Sequence, residues 1–474
     1  MSVTRDLRSF LAENEAATWR PQEALAVEHE ITALQHAGDQ SGSYPVIVVD
    51  KPKMPDGSIS DIPVICNMTA SRSLTAGVLG LSDHRHAASE LYERISGGIK
   101  PDTVPSDQAP VQEIVFEGNE CDLEKLPALK QHIFDPGRYL TAAHATTYDP
   151  ETGIDNTAIQ RCWIKGPQKM TYYTVPSSHN ARNMRKFWAN GEDCPIAFWI
   201  GHHPSVVIGS QGKLDYPQSH WETVGAFLGE PLRLVPSKTH GDKIMVPADA
   251  EIVVEGWIPK DKLEPDGPFG EYHGYSGPQV LAPYCNVTAI TMRKDAIYHD
   301  YGSGLTDMVV PDNMMMEGKL FGMVRAVTPS VTKIHVPVSG RRFHAYLQMK
   351  NPMGGEARDV LAAVLAYRRL KMAVVVDDDI DIFDEREINW ALSTRVQWER
   401  DSFQLNGLSG SMLDPSLPFG SRTVSKLGID ATLPQSEVAG APKPTLPRSV
   451  VPDDILKQAV TNFANADSKE WPKE

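Results

Sequence analysis

Two carboxylates, Asp266 and Glu271, stand five residues apart in the stretch EPDGPFGEYHGYSGP (264–278). The segment is too rich in Gly and Pro to be regular structure, and Gly267, Pro268, Phe269 and Gly270 separate the two acids. Burying a carboxylate is costly unless it finds hydrogen bonds or a cation, and apolar surroundings raise its pKa. Two such groups on a stiff loop can divide labour, one held ionised by a cation and one poised as a proton donor. The plain alternative is a turn with two solvated acids.

A cation is available in DNTAIQRCWIK (155–165), where Arg161 sits in a strand-like run beside Cys162 and Trp163. A partly buried guanidinium wants an anion, either a protein acid or a ligand carboxylate. Asn156 lies upstream, and ideal strand alternation puts it on the opposite face from Arg161. Both serve one site only if Asn156 belongs to the preceding loop or a bulge intervenes. The third constellation is His179, in the first turn of SSHNARNMRKFWANG (177–191), with Ser177 or Ser178 as cap and Arg182 and Arg185 following. A helix N-terminus flanked by basic side chains is suited to a phosphate. A histidine there could bind a metal bridging to it, and a mixed Asn/His/carboxylate shell suits Mg²⁺ or Mn²⁺. His202-His203 and the Asp377, Asp378, Asp379, Asp381 cluster weigh less. The cluster reads as a strand-to-helix turn with Asp384 capping the next helix, and the Met run at 314–316 reads as core or interface.

The elements that must position these residues fall into four segments. Residues 1–105 read as a small α/β domain, with strand YPVIVVD and helix HRHAASELYERI, capped by Ser82 or Asp83 and stopped at Gly97-Gly98. Residues 106–308 hold short, β-branched segments split by Gly/Pro turns, among them PIAFWIG, EIVVEGWI and CNVTAITMR, and suggest a barrel-like β domain. Residues 309–432 alternate helix and strand, beginning with helix NMMMEGKLFGMVRAV, and suggest an α/β domain. Residues 433–474 are a Pro-rich linker and the helix DDILKQAVTNFA. Its stripe of Ile455, Leu456, Ala459, Val460 and Phe463 is expected to dock on the protein or on a neighbouring subunit.

Whole-chain composition narrows the function class. At 474 residues the chain supports several hydrophobic cores, and its formal charge of −15 argues against nucleic-acid or anionic-membrane partners. No apolar run approaches the roughly 20 residues that span a bilayer. Five scattered cysteines without a C-x-x-C pair fit a reducing cytoplasm, so the expectation is a soluble cytoplasmic protein.

From about residue 110 to 430, five segments in order resemble the UbiD-type carboxy-lyases, which decarboxylate unsaturated and aromatic acids with prenylated FMN. DNTAIQRCWI looks like the family's Asn-x4-Arg strand, SSHNA like its metal-histidine segment and VGAFLGEPLRLV like its Ala/Gly-rich helix. DGPFGEYHGY looks like its acidic loop, and DIDIFDEREINWALSTR like its C-terminal Asp-rich turn. The resemblance implies an N-terminal α/β domain, a central split β-barrel holding the cofactor, and a C-terminal α/β oligomerisation domain. It implies that Arg161 orients the substrate carboxylate, that Glu271 protonates the carbon left by CO₂, and that Asp266 supports Arg161. Asn156, Thr157, Ile159, Gln160, Arg161, Ser178 and His179 are the implied cofactor contacts. Asn156 and His179 match ligands of a Mn²⁺ or Mg²⁺ that anchors the cofactor phosphate, with K⁺ nearby and Arg395 close to that ion site. Two departures stand out. Asp266 replaces the usual glutamate, shortening the side chain by one C–C bond of about 1.5 Å. His220 stands where the family has its metal-binding glutamate, with Glu222 two residues on, so the third ligand is His220 or Glu222.

The function so implied is reversible, non-oxidative decarboxylation of an aromatic, heteroaromatic or α,β-unsaturated acid, free or as a CoA thioester. Partners are the small-molecule acid, CO₂, a flavin prenyltransferase that supplies the cofactor, and further copies of the chain, from a dimer to a hexamer. The alternatives are a split-barrel flavin oxidoreductase using unmodified FMN and a non-catalytic scaffold.

Overall fold

A computed structural model of the chain describes residues 5–418, 420–433 and 448–464. Its largest element is a ten-stranded sheet, and the order of that sheet explains where the site lies. The hydrogen-bonded path begins at Asp155–Ile159 and runs through His144–Tyr148, Cys194–Ile200, Ile252–Ile258 and Val280–Met292. It continues through Lys169–Thr171 and Cys162–Gly166 to Tyr139–Leu140. The first and next-to-last strands of this path are separated in sequence only by Gln160 and Arg161. Two residues cannot reach across a flat ten-stranded sheet, whose strands lie about 4.8 Å apart. The sheet therefore curls until its edges nearly meet, a partly open barrel, and Arg161 sits at the seam. The sequence reads as a partly alternating strand through Arg161, with a preceding loop or a bulge left open; the structure breaks the strand at 160–161, where the Gln160 N–H donates to Ala143 O at 2.9 Å.

The long strand Val280–Met292 bends enough to pair with four partners, helped by a register shift between Glu255 and Gly256 on its neighbour. A Cβ at Gly256 would lie 2.1 Å from Asn286 O, so only glycine permits this approach.

Before the barrel, a four-stranded sheet has the order Thr18–Trp19, Val46–Val49, Val64–Cys66, Tyr298–His299. Its last strand comes from beyond the barrel, which ties chain segments more than two hundred residues apart. Helix Ala87–Ser96 stops at Gly97 as expected, but its N-cap is His86, without a side-chain cap. Asp83 accepts from Arg85 N at 2.9 Å and pairs with the His86 ring at 2.7 Å, so its carboxylate is spent on the preceding turn.

Helix Thr306–Arg325 starts before the expected NMMMEG run and crosses position 308/309. Pro311 lies inside it. Proline cannot donate to the carbonyl four residues back, and that Asp307 carbonyl accepts instead from Thr69 Oγ1 at 2.8 Å. Met314, Met315 and Met316 are buried on this helix. Beyond it, a five-stranded sheet has the order Val331–His335, His344–Met349, Met372–Asp377, Thr423–Asp430, Ser402–Ser409. Helix Glu356–Leu365 packs in a core with helix Thr306–Arg325, while Ile388 and Ala391 of helix Glu385–Arg395 lie in a separate cluster. The mixed α/β architecture expected from sequence is the one observed.

Helix Asp453–Ala464 is present, with Ile455, Leu456 and Val460 exposed. Most of the Pro-rich linker, residues 434–447, lies outside the described residues. No helix among the described residues is long and apolar enough to cross a membrane.

Candidate active site

The acidic loop and the seam arginine meet. Asp266 ends strand Leu263–Asp266, which is held in register by pairing with Val280, and its side chain is fully buried. Its Oδ2 accepts from Arg161 Nε at 2.9 Å and from Nη2 at 2.7 Å, while Oδ1 accepts from Thr171 Oγ1 at 2.6 Å. The shorter acid thus reaches its arginine, because the strand delivers it there. The third guanidinium nitrogen, Nη1, donates to Glu271 Oε1. The turn between the acids begins at Gly267, with φ +83°, where a Cβ would press within 3.1 Å of Pro278 O. The Gly267 N–H donates to the Tyr139 hydroxyl at 3.1 Å. Aromatic rings close the guanidinium faces, with Arg161 Cζ 4.2 Å from the Tyr173 ring centre and 5.1 Å from that of Phe269.

The electrostatics separate the two ends of the cluster. Burial pulls the Arg161 pKa down, but Glu271 and Asp266 outweigh it and leave it above the ordinary value. Burial pushes the Glu271 carboxyl up to about 6, even with Arg161 and Arg342 opposing. The site therefore holds a fixed cation and a carboxyl that titrates near neutrality, the arrangement of an anion anchor with a proton donor.

Beside the seam lies a cavity of about 470 Å³. Asn156, Ile159, Gln160, Ser178, His179 and His220 line one part of it. Ser178 caps helix His179–Ala189, its Oγ accepting from Ala181 N at 3.2 Å, so Ser178 rather than Ser177 is the cap. Because the strand breaks at 160–161, Asn156 and Arg161 serve neighbouring spaces despite their odd spacing. The other part is cationic, with Lys213, Lys319, Arg342, Arg368 and Arg369 against the acids Asp215 and Asp312. Asp312 alone pairs with Lys213, with Arg342 at 3.1 Å and with Arg369 at 2.7 Å. Burial, opposed by Asp312, lowers the Lys213 pKa to about 8. This surplus of positive charge, beside a capped helix N-terminus, fits a phosphate group.

The expected ion site fits less well. Glu222 is not on the cavity; its side chain lies against Gly98, where an added Cβ would stand 3.3 Å from Oε2. Asn156, His179 and His220 remain. His220 is buried, its Nδ1 has no hydrogen-bond partner among the described residues, and burial, then His179 and Lys213, lower its pKa to about 3. Among the described residues no three His, Cys, Asp or Glu side chains come together to hold a metal. An amide and two imidazoles without a carboxylate do not make the hard, oxygen-rich shell that Mg²⁺ or Mn²⁺ takes.

Three further residues singled out in the sequence make contacts of their own. Thr157 points into the core, bonding Thr146 Oγ1 at 3.0 Å and accepting from Trp199 Nε1 at 3.1 Å. Arg395 is held elsewhere, by Asp379 at 2.6 Å and Asp377 at 3.4 Å, in the turn that Asp384 caps. His203 caps a short helix by accepting from Ser205 N at 3.2 Å. Sequence reasoning missed Thr171, Tyr173, Lys213, Arg342 and Arg369. Two arginine doublets, in SGRRFH and YRRLK, each just before a strand, were the available signal.

The model of the 3-octaprenyl-4-hydroxybenzoate carboxy-lyase Rift-related domain matches residues 102–305, and that of the C-terminal domain of the same carboxy-lyases matches residues 312–431. Anhydromevalonate phosphate decarboxylase of Methanothermobacter thermautotrophicus is 30% identical over 87% of this chain and 95% of its own. The chain belongs to the UbiD carboxy-lyase family. Its UbiD-class structural relatives include HmfF from Pelotomaculum thermopropionicum in complex with FMN, 32% identical with TM-score 0.88 over 96% of this chain and 99% of that one. An evolved dimeric form of HmfF in complex with prFMN is 30% identical, with TM-score 0.86 over 97% of this chain and 100% of that one. Vanillic acid decarboxylase of Sedimentibacter hydroxybenzoicus, in closed form, is 26% identical, with TM-score 0.81 over 98% and 100%. In this UbiD-family chain the first matched region contains the seam, and the second contains Arg342 and both arginines of the YRRLK doublet.

Proposed function

We propose that this chain catalyses reversible, non-oxidative decarboxylation of an aromatic, heteroaromatic or α,β-unsaturated carboxylic acid, with prenylated FMN as cofactor. The observation that carries the reading is Arg161 held between a fully buried Asp266 and a Glu271 carboxyl pushed up to about 6. Prenylated FMN, when bound, supplies the electron sink for the carbanion left by CO₂, which no side chain here can offer. Ser178, His179, Lys213 and Arg342 would hold its phosphate end. FMN and prFMN in the two HmfF complexes support that choice, and the Methanothermobacter relative's name supports the reaction class.

The chain's own residues do the rest. Asp266 fixes the guanidinium plane through Nε and Nη2, leaving Nη1, now on Glu271, as the exchangeable position. A substrate carboxylate that takes Nη1 releases Glu271 from its cation, which raises the Glu271 pKa and loads it with a proton. Substrate binding thereby arms the donor. Once the C–COO⁻ bond breaks, Glu271 delivers that proton to the vacated carbon, and the reverse transfer begins carboxylation. Tyr173 and Phe269 keep water from the guanidinium, which strengthens its hold on the carboxylate.

The test is the protein co-produced with a flavin prenyltransferase. Arg161→Ala and Glu271→Gln should each abolish CO₂ release while flavin stays bound, and His179→Ala should lose flavin. Unmodified FMN that is bound tightly and cycles between redox states during turnover would favour the oxidoreductase instead. The reading includes a cytoplasmic homo-oligomer, dimer or larger, which light scattering checks.

A further inference from the structure

We propose that His132 and His36 relay protons between solvent and Glu271 through a second cavity, an inference that rests on the donor role given to Glu271 above. An acid that protonates each product must recover a proton every turnover. The Glu271 side chain is only 13% exposed, so bulk water does not reach it freely.

A separate cavity of about 310 Å³ is lined by Glu271 together with His132, His36, Asp39, Ser303 and Arg341. At about 30 Å³ per water it holds several molecules. The His132 ring packs on Gly270, the residue before Glu271. A Cβ there would come within 2.6 Å of both Nδ1 and Cε1, so glycine is what lets the imidazole lie against the loop. His132 Nδ1 is buried and has no hydrogen-bond partner among the described residues. Asp135 Oδ2, 3.6 Å away, is fixed by the N–H groups of Gln131 and His132 at 3.1 and 2.8 Å. That is too long for a hydrogen bond, so the carboxylate stands beside the ring and leaves Nδ1 open to water.

His36, on helix Glu30–Ser41, is exposed and stands edge-on to His132 with ring centres 6.0 Å apart. One water spans such a gap. Burial and His132 make His36 less basic, with Asp39 opposing, so it releases a proton readily. The charged groups around the pair are thus Asp39, Asp135, Glu271 and Arg341. In the step itself, one ring nitrogen of His132 gives its proton, through water in the shared cavity, to the Glu271 carboxylate. The other nitrogen takes one from water fed by His36. No electrons move, and solvent is the only source.

The experiment uses the flavin-loaded enzyme with an acid it decarboxylates. His132→Phe should lower kcat by about tenfold or more, leave KM nearly unchanged, enlarge the solvent deuterium isotope effect and recover with added imidazole. His36→Gln, at an exposed position, should show a smaller loss of the same kind, and it decides the matter if His132→Phe fails to keep flavin. An unchanged kcat and isotope effect overturn the relay. A raised KM without imidazole rescue also overturns it and assigns the cavity to the substrate's tail. Wild-type enzyme that releases CO₂ from no acid defeats the decarboxylase reading instead, so the two failures are distinct.

Discussion

Arg161 is the residue on which charge, geometry and topology converge, because it gives two nitrogens to Asp266 and one to Glu271. Removing one partner of a buried ion pair typically costs about 3–5 kcal/mol. Arg161→Ala should therefore lose stability as well as turnover, and Arg161→Lys should keep the fold better than the rate; denaturant melts beside rate assays check both. Glu271 must carry its proton to act as donor. With its carboxyl at about 6, kcat/KM for decarboxylation should fall as pH rises above that value, and a pH–rate profile reads it directly. Both acids and the arginine were legible from residue type, since each is an unexpected polar group in an apolar or rigid setting. Thr171 and Tyr173 were not. Their contacts arise where Lys169–Thr171 and Leu263–Asp266 both meet Val280–Met292, and pairing between distant strands leaves no local mark.

At the scale of elements, the curled sheet turns a two-residue break into a site, and its bend depends on Gly256. Gly256→Ala would force a Cβ into Asn286 O at 2.1 Å. Overpacking of this kind costs about 1–3 kcal/mol, and a lowered midpoint in denaturant should show it. The strands were readable from their β-branched alternation. The break at 160–161 was only half-readable, because the adjacent polar pair in IQRC fits a bulge, a loop or an exposed strand equally; closure of the sheet decides it. Pro311 is tolerated inside helix Thr306–Arg325 because Thr69, more than two hundred residues away in sequence, satisfies the freed Asp307 carbonyl. The cationic wall belongs to this scale too, since it gathers Lys213 from the barrel region and Arg342 and Arg369 from the C-terminal sheet's connections. Arg342→Met should weaken flavin retention by about 1.5–3 kcal/mol, the worth of a charged hydrogen bond, measured as the flavin-to-protein ratio after dialysis.

Across the whole molecule, the strand Tyr298–His299 crosses from the barrel into the N-terminal sheet and carries Asp300 into the join. Asp300 is fully buried, accepting from Thr141 Oγ1 and Gln131 Nε2 at 2.7 Å each, and burial pushes it up to about 8. A carboxyl whose folded pKa lies above its unfolded value stabilises the fold fully below the unfolded pKa, and loses that contribution as pH rises through the folded one. Thermal stability should accordingly fall as pH climbs from about 4 to about 8 and level off above that, and Asp300→Asn should flatten that slope. The order of the segments was readable from the chain. That the site lies where the barrel seam faces the C-terminal arginines was not, because it depends on how distant segments pack.

The central claim is that Arg161 holds a carboxylate while Glu271 protonates the carbon it leaves. The most direct measurement is decarboxylation of a panel of unsaturated and aromatic acids in D₂O, following CO₂ and deuterium at the vacated carbon in wild type and Glu271→Gln, both loaded with prenylated flavin. The expected result is CO₂ release with one deuterium per turnover in wild type, and neither in Glu271→Gln. Glu271→Gln enzyme that releases CO₂ and labels the product at the wild-type rate would contradict it.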